Sequence, residues 1–375
     1  MKVPNESTLC PATTNVTNVD GFQAMLAIEC VLSILALIPN ALMVIILCRT
    51  RVFHSNLRLL LGHMNVILFA YSAGLLSKSV SMLITVRSAH ECTLAMKLYD
   101  CKLGEFPVAF PNNALSYASF ALCLERVYCT IRYKKYDNNK AVPWLAMLLI
   151  LVTWIIVTTN QLSNWVNTSY TKVTAVCENA LSVTTSAATS TLLPQMMTEA
   201  AIVVISLIVW LYNKHQLNSA FLNRSKMTLS ARFQMDQNVQ LNRIVAPSMI
   251  FEAVCYIPIM LFLVLIVRGY EIQLATKVIL VHFSYIWKLA FCCLQPLLSF
   301  YENPHLKKGL KKVYEKLLFL VFNKAQVSPA GYGGEQARGR SSRSALKDQE
   351  TYFRNLEKQW SLPVDKKTSF CALWA

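Results

Sequence analysis

The chain has 375 residues, of which 54% are apolar and only 15% are charged, whereas soluble chains carry roughly 25% charged residues. Its formal net charge is +16, and the 10 glycines are too few for a collagen-like chain and disfavour a glycine-rich nucleotide-binding fold. One large polytopic membrane protein therefore fits the composition better than two or three soluble domains.

Seven stretches are long and apolar enough to cross a bilayer as a helix, for which about 20 residues are needed. In chain order they are Phe22–Cys48, Leu57–Thr85, Phe106–Ile131, Trp144–Ser163, Leu192–Asn213, Ile244–Val267 and Val278–Tyr301. Because lipid offers no partner to backbone N–H and C=O groups, these stretches are predicted to be helices. We therefore predict an all-α membrane protein built as a bundle of seven transmembrane helices.

The positions of lysine and arginine predict the orientation of this bundle. With the N-terminus outside, the inner segments hold 19 basic residues and the outer segments hold 7, as the positive-inside rule requires. Residues 1–21 are then extracellular, 22–301 form the bundle, 302–322 form an amphipathic helix and 323–375 form a disordered cytoplasmic tail. We expect the lysines of 302–322 to bind anionic lipid at the inner leaflet. Since the basic residues follow membrane topology, nucleic acid is not an expected partner.

The outer segments carry glycosylation signals and cysteines. Sequons at Asn5, Asn15 and Asn167 lie outside, where we expect glycans. Four of the 12 cysteines also lie there, namely Cys10, Cys92, Cys101 and Cys177. An even number in an oxidising compartment predicts disulfide bonds, and three pairings are possible. No CxxC pair and no two histidines at helical spacing occur, so neither a metal site nor a cofactor is predicted.

Motifs in three spans carry a resemblance to a known family. The third span ends on Glu125-Arg126-Val127-Tyr128, the sixth contains Cys255-Tyr256-Ile257-Pro258, and the seventh contains Gln295-Pro296. With seven helices and an outer N-terminus, these motifs resemble the rhodopsin-like G-protein-coupled receptors. The resemblance implies that Glu125 and Arg126, with Tyr128 displaced by one position, hold the inactive state, and that Arg126 later meets a heterotrimeric G protein.

The same resemblance implies hinges and one disulfide bond. Pro258 and Pro296 stand where the family has prolines that permit helices to change their packing. In the family, a cysteine about 25 residues before the arginine bonds to a cysteine in the second outer loop. Here these two are Cys101 and Cys177, and their pairing leaves Cys10 and Cys92 as the remaining outer pair.

Other motifs are more specific. The sequences Asn56-Leu57-Arg58-Leu59-Leu60-Leu61, Thr130-Ile131-Arg132-Tyr133-Lys134 and Leu229-Ser230-Ala231-Arg232 resemble the nematode serpentine chemoreceptors of class a and class ab. The resemblance extends roughly from Phe22 to Leu320. It implies a receptor of sensory neurons that binds an external small molecule, catalyses nothing, and lies in the plasma membrane, including that of a sensory cilium.

Ionisable residues within the spans indicate where a ligand would bind, because each is costly in lipid. They are Glu29, Lys78, Glu199, Glu252 and Lys288. Glu29 and Lys78 are expected at the same depth on adjacent helices. The charges predict either a polar ligand cavity in the outer half or structural ion pairs, and the sequence does not choose between them. Polar residues that would complete the lining are Asn112, Asn113, Tyr117, Tyr256 and His282.

Two other functions compete with a chemoreceptor. Lys288 lies eight residues before Pro296, whereas the lysine that binds retinal in opsins lies seven residues before the corresponding proline. A retinal-binding, opsin-like photoreceptor is therefore one alternative. A polytopic transporter or channel is the other, but the sequence has neither inverted repeats nor matching broken helices.

Overall fold

The computed structural model describes residues 21–49, 53–88, 96–131, 143–166, 173–174, 177, 185–222, 239, 245–246, 249–257, 261, 273–302 and 304–323. Within these ranges eight helices follow one another along the chain. They are α1 (Phe22–Arg49), α2 (Ser55–Ser88), α3 (Leu98–Ile131), α4 (Trp144–Val166), α5 (Thr185–Leu222), α6 (described over residues 249–257), α7 (Leu274–Glu302) and α8 (Pro304–Asn323). Two short strands, β1 (Met96–Lys97) and β2 (Val173–Thr174), pair antiparallel between the helices.

Five of these helices are long and apolar enough to span a bilayer, namely α1, α2, α4, α5 and α7. The predicted third span lies within α3, which is less apolar because polar and charged side chains continue into it. This helix begins at Leu98 rather than at Phe106, the predicted start of the span. Helix α5 likewise extends beyond the predicted span at both ends. These helices are longer than the predicted spans because polar residues outside the apolar stretch also adopt helical structure.

The outer faces of the helices are apolar, the reverse of a soluble helix. On α1 the exposed residues recur at helical spacing, at Ile28, Val31, Leu35, Ile38 and Ile45. Helix α4 has a comparable stripe that runs from Trp144 through Leu148 and Leu151 to Ile155. In water such continuous apolar surface would drive aggregation, so these stripes are the surfaces that contact lipid tails.

Polar side chains lie inside the bundle, where protein atoms replace water as hydrogen-bond partners. Ser72 Oγ donates to the Leu68 carbonyl over 2.8 Å, and Asn65 Nδ2 donates to the Leu61 carbonyl over 2.7 Å. Helix α1 packs against α2 and α7, and α3 packs against α2, α4 and α5. Going around the bundle, α7 is therefore next to α1, α1 is next to α2, and α2 is next to α3.

Helices α2 and α3 lie very close together at Gly74. A Cβ atom placed on Gly74 would lie 2.3 Å from the carbonyl oxygen of Pro107. Pro111 follows Pro107 by four residues and has no N–H, so it cannot donate to that carbonyl as an ordinary helix residue would. The backbone of Gly74 therefore lies against a carbonyl group that its own helix leaves free, and only glycine fits there.

Replacing Gly74 with alanine is expected to destabilise the protein, because the added methyl overlaps backbone atoms that cannot rotate away. Overpacking of this kind costs about 1–3 kcal/mol. The matched control is Gly62→Ala in the same helix, where an added Cβ meets nothing within 4 Å. Since alanine is about 1 kcal/mol better than glycine inside a helix, this control should be neutral or stabilising. The midpoint of thermal unfolding of the purified proteins tests both changes; equal midpoints would contradict the close contact.

Helix α8 is amphipathic, as predicted for residues 302–322. Leu306 and Val313 are buried, whereas Lys307, Lys308 and Lys311 are exposed. Residues up to Lys316 form one compact unit, and the last turns of α8, from Leu317, belong to a second unit. The first turns of α8 therefore turn an apolar face inward and a basic face outward.

Candidate functional site

Lys288 of α7 occupies the centre of a buried polar cluster. Its ammonium group donates a hydrogen bond to Asn112 Oδ1 on α3. The same nitrogen lies 4.0 Å from the centroid of the Tyr256 ring on α6 and 5.5 Å from that of Tyr71 on α2. Asn112 Nδ2 in turn donates to the Tyr256 hydroxyl over 3.4 Å. Side chains of three other helices, α2, α3 and α6, thus hold this cation through one amide and two aromatic rings.

Two glutamates lie next to this lysine. Glu199 of α5 and Glu252 of α6 are both close enough for their charges to interact with Lys288. Glu252 Oε2 accepts a hydrogen bond from the Ser119 hydroxyl over 2.5 Å. The carboxylate of Glu199 interacts with the Ser116 hydroxyl of α3. Because both side chains are buried, the protein itself must balance their charge.

A second cluster, made of amides, lies between α3, α4 and α5. Gln195 Nε2 donates to Asn113 Oδ1 over 2.8 Å, and Asn113 Nδ2 donates to Gln161 Oε1 over 3.4 Å. Nearby, Asn160 Nδ2 donates to the Tyr117 hydroxyl over 3.1 Å. Asn113 and Tyr117 therefore bond to this amide group, whereas Asn112, one residue earlier in the chain, bonds to Lys288.

His282 belongs to a third group, formed by α1, α2 and α7. His282 Nδ1 lies 2.7 Å from Glu29 Oε1, and the Ser79 hydroxyl donates to Glu29 Oε2 over 2.6 Å. The imidazole ring also packs edge-on against Phe22, with ring centroids 5.2 Å apart. All these side chains are buried, so Glu29 has its hydrogen bonds satisfied inside the bundle.

Lys78 pairs with Glu105 of α3. Lys78 Nζ lies 2.8 Å from Glu105 Oε1, and both side chains are almost completely shielded from solvent. The Tyr285 ring adds a cation–π contact, with its centroid 4.6 Å from the ammonium nitrogen. Ser79, adjacent to Lys78, contacts Glu29. Helices α1 and α2 therefore place Glu29 and Lys78 at the same depth in the bundle. Glu105 lies one residue before the predicted third span and was missed for that reason.

A disulfide bond anchors the N-terminal end of α3. Cys101 and Cys177 form a disulfide bond with their Cα atoms 5.3 Å apart, which confirms the pairing implied by the family resemblance. Beside it, Lys102 Nζ donates to the Asn164 carbonyl over 2.9 Å, and burial lowers the pKa of Lys102. Strand β1 lies a few residues before Cys101 in the chain, and strand β2 lies a few residues before Cys177, so the strand pair and the disulfide bond join the same two segments. The start of α3 is thus fixed to the segment that precedes α5.

At the opposite end of α3, Glu125 and Arg126 form an ion pair. Arg126 Nε and one terminal guanidinium nitrogen lie 2.6 and 2.5 Å from Glu125 Oε2. Both residues are buried, whereas Tyr128 is exposed. One turn further, Asn213 Nδ2 of α5 donates to the Thr130 hydroxyl over 3.1 Å. In this structure the arginine is therefore held by its neighbouring carboxylate.

Pro296 creates a contact between α7 and α1. A proline cannot donate to the carbonyl four residues earlier, which here is that of Cys292. Asn40 Nδ2 of α1 donates to this carbonyl over 3.0 Å and also to the Ala36 carbonyl over 2.8 Å. The side chain of Asn40 thus supplies the donor that the helix itself lacks.

A small cavity beside Glu252 has room for about one water molecule. Its walls are mostly apolar, with Glu252, Gln295 and Ser299 as the polar members. Glu252 Oε1 and Gln295 Oε1 are both buried without a hydrogen-bond partner in the part of the chain that the structure describes.

Several predicted positions fall outside the described residues. They are the sequons at Asn5, Asn15 and Asn167, the cysteines Cys10 and Cys92, and the hinge residue Pro258. Most of the segment 323–375 lies outside these residues as well. These positions remain predictions from the sequence.

Comparison with known proteins decides what kind of molecule carries these clusters. A family model described as "Serpentine type 7TM GPCR receptor class ab chemoreceptor" matches residues 7–300 of the chain. The chain belongs to this family. The receptor is also 22% identical over 171 residues to Serpentine receptor class alpha/beta-14 of Caenorhabditis elegans. That match covers 46% of the receptor and 43% of the relative, less than half of either chain.

Membership of this family confirms both the fold class predicted from the apolar spans and the resemblance to the serpentine chemoreceptors. The receptor is a membrane protein with the seven-helix architecture of G-protein-coupled receptors, a class of receptors rather than of enzymes. Within that architecture, the Lys288 cluster lies between the helices and the Glu125–Arg126 pair lies at one end of α3.

Sequence reasoning missed the side chains that partner the predicted residues. Ser119 bonds to Glu252, and Gln195 and Gln161 bond to Asn113. Each is a polar side chain in an otherwise apolar helix, a weak signal that serines and amides share with ordinary helix-packing residues. A charged residue in an apolar span was a stronger signal than an uncharged polar one, because an unpaired charge in lipid costs more free energy.

Proposed function

We propose that the receptor is chemosensory: it binds an external small molecule in the outer half of the bundle and signals to a heterotrimeric G protein. The observation that carries this proposal is the buried cluster of Lys288, Glu199, Glu252, Asn112 and Tyr256, to which α3, α5, α6 and α7 contribute. A ligand that rearranges this cluster changes the packing of four helices at once.

Glu252 provides a physical connection from the cluster toward the cytoplasmic half. One of its oxygens bonds to Ser119 of α3, and the other faces the cavity shared with Gln295. Gln295 immediately precedes Pro296, whose missing N–H is compensated by Asn40. A ligand that binds the two packings with unequal affinity shifts their populations, and this chain of contacts would carry the shift to Arg126.

Other parts of the receptor complete the proposal. Its extracellular end carries glycans at Asn5, Asn15 and Asn167, and the basic face of α8 binds anionic lipid at the inner leaflet. The receptor acts in the plasma membrane, including that of a sensory cilium. Membership of a chemoreceptor family favours this function over a retinal-binding photoreceptor or a transporter.

The test is a screen of the full-length receptor, expressed in cells with a G-protein readout, against volatile and water-soluble small molecules. A G-protein response to a panel compound that cells without the receptor lack supports the proposal. No response to any compound, with receptor present at the cell surface, contradicts it.

Replacing Arg126 with alanine is expected to abolish that G-protein response while leaving ligand binding intact. Arg126 and Glu125 are buried together at the end of α3, and the guanidinium is the group that becomes available when the pair opens. The control is Arg87→Ala, because Arg87 is an exposed arginine at the opposite end of the bundle. Dose–response curves for G-protein activation measure both variants. A response in Arg126→Ala that equals the control would remove Arg126 from the mechanism.

A further inference from the structure

The buried carboxyl groups of the bundle differ in whether a basic group lies beside them. Three of them have a basic nitrogen within 2.8 Å, namely Glu29 with His282, Glu105 with Lys78, and Glu125 with Arg126. Glu252 is equally buried, at 4% exposed, but forms no ion pair with any residue that the structure describes. A carboxylate held away from both water and cations is costly, so the charge of Glu252 must be removed in another way.

The two oxygens of Glu252 have different surroundings. Oε2 accepts a hydrogen bond from the Ser119 hydroxyl over 2.5 Å. Oε1 is buried without a partner among the described parts of the chain, and so is Gln295 Oε1, although both residues line the same small cavity. Ser299 lines this cavity too, but its hydroxyl donates to the Gln295 main-chain carbonyl over 3.0 Å. Two buried acceptors therefore border one space, and the polar side chains described there supply no donor to them.

A proton on Glu252 removes both difficulties. A protonated carboxyl group is neutral and has one O–H donor, so a proton at Oε1 removes the buried charge and gives the cavity its donor. A water molecule in the cavity would supply donors but no positive charge. The Lys288 ammonium group donates to the neutral amide of Asn112 and lies 4.0 Å from the centroid of the Tyr256 ring, rather than in contact with Glu252.

We infer that Glu252 is a protonated carboxylic acid in this packing of the helices, and that it releases the proton to water when α6 moves away from α3 and α7. This inference deepens the proposed function, because Glu252 belongs to the cluster that a ligand would rearrange. The described packing then binds one proton more than a packing in which Glu252 is hydrated and ionised. Acidification therefore favours the described packing, in which Arg126 is held by Glu125.

Several other titratable groups face Glu252 or lie next to it. They are Lys288 and Cys292 of α7, Glu199 of α5, and Cys255 and Tyr256 of α6. The contact from α3 is the hydroxyl of Ser119, while α1 and α2 contribute the thioethers of Met43 and Met64 to the cavity wall. Glu199 is the other carboxyl group in this set, so the experiment must distinguish Glu252 from Glu199.

Infrared spectroscopy of the purified receptor, in a detergent without ester or acid groups, tests the inference directly. A protonated carboxyl group has a C=O stretching band that a carboxylate lacks. At neutral pH, the difference spectrum between the unmodified receptor and Glu252→Gln should show the loss of one such band. Glu199→Gln should retain that band, and so should the control Glu315→Gln, because Glu315 is exposed. Glu252→Leu should lose the same band, which keeps the test available where Glu252→Gln does not fold.

The pH dependence of thermal unfolding provides a second measurement. Glu252 holds its proton in the native packing and releases it once unfolding exposes the side chain to water. Its contribution to stability is therefore present at low pH and is lost as the pH rises above the ordinary range of an exposed glutamate. The glutamine of Glu252→Gln has no proton to release, so the unfolding midpoint of this variant should fall less steeply with rising pH than that of the unmodified receptor.

The outcomes separate this inference from the proposed function, since neither measurement involves a ligand or a G protein. A carboxylic acid band that is absent, or that Glu252→Gln leaves unchanged, overturns the inference; a cation in the cavity, or a Gln295 amide turned to donate its N–H, would give this result. Loss of the band in Glu199→Gln alone also overturns it. Each of these results leaves the receptor function standing. Conversely, a ligand screen without any G-protein response contradicts the proposed function and leaves the protonated Glu252 standing.

Discussion

Replacing Lys78 with methionine is expected to lower the free energy of unfolding by about 3–5 kcal/mol, the usual cost of breaking a buried ion pair by removing one partner. The pair joins α2 to α3 across 2.8 Å, and its two side chains are 8% and 4% exposed. Without the ammonium group, Glu105 keeps a buried charge, and the Tyr285 ring loses its cation. Thermal unfolding of the purified receptor and its yield at the cell surface measure the loss.

A second substitution tests the electrostatic cause. In Lys78→Met combined with Glu105→Leu, both charges are absent, and replacing a buried ion pair by apolar residues is often neutral or stabilising. The double variant should therefore recover most of the stability. The control is Lys311→Met, because Lys311 is exposed and lies 3.9 Å from the exposed Glu315, a kind of pair worth only about 0.3–0.5 kcal/mol. A double variant no more stable than Lys78→Met alone would show that lost packing, rather than charge, destabilises the single variant.

Removal of the disulfide bond between Cys101 and Cys177 is the second large expected effect. The bond closes a segment with a sequence separation of 76 residues, and losing such a bond typically costs about 2–5 kcal/mol. It also holds the start of α3 against the segment before α5, the helix that carries Glu199. We expect Cys101→Ser to reduce both the surface yield and the unfolding midpoint of the receptor.

Comparison of the single and double cysteine variants tests whether Cys101 and Cys177 are bonded to each other. Cys177→Ser and the double variant should lose the same amount as Cys101→Ser, since each change removes the same covalent link. Cys48→Ser is the control, because Cys48 is a free and exposed thiol. Labelling with a thiol reagent after each single substitution should reveal one additional free cysteine. Full stability in Cys177→Ser, with no new thiol, would contradict the pairing.

The sequence predicted the membrane fold well because its signal is physical and local. Runs of apolar residues of bilayer length must be helices in lipid, and all the predicted spans lie in helices where the structure describes them. Helix ends were predicted less well, since residues such as Glu105 continue the helix beyond the apolar run. Glu105 pairs with Lys78 of another helix, a contact that a pattern along one segment does not report.

The sequence predicted which residues belong to the candidate site but not which of them bond to each other. Charge in an apolar span identified Lys288, Glu199 and Glu252, because such residues are costly unless they have a role. Which of these residues bond to each other depends on how the helices pack. Asn112 and Asn113 are adjacent in sequence, yet Asn112 bonds to Lys288 and Asn113 bonds to Gln195. The pairing of His282 with Glu29 likewise joins positions that lie 253 residues apart.

The main-chain contact between Gly74 and Pro107 restricts how this receptor can respond to a ligand. Two side chains in contact adjust to a sliding helix by changing rotamer, but two backbones at this distance have no such freedom. We therefore expect α2 and α3 to keep their relative positions at Gly74 when other helices of the bundle shift. In mechanical terms, this backbone contact would be a fixed point about which the rest of the bundle adjusts.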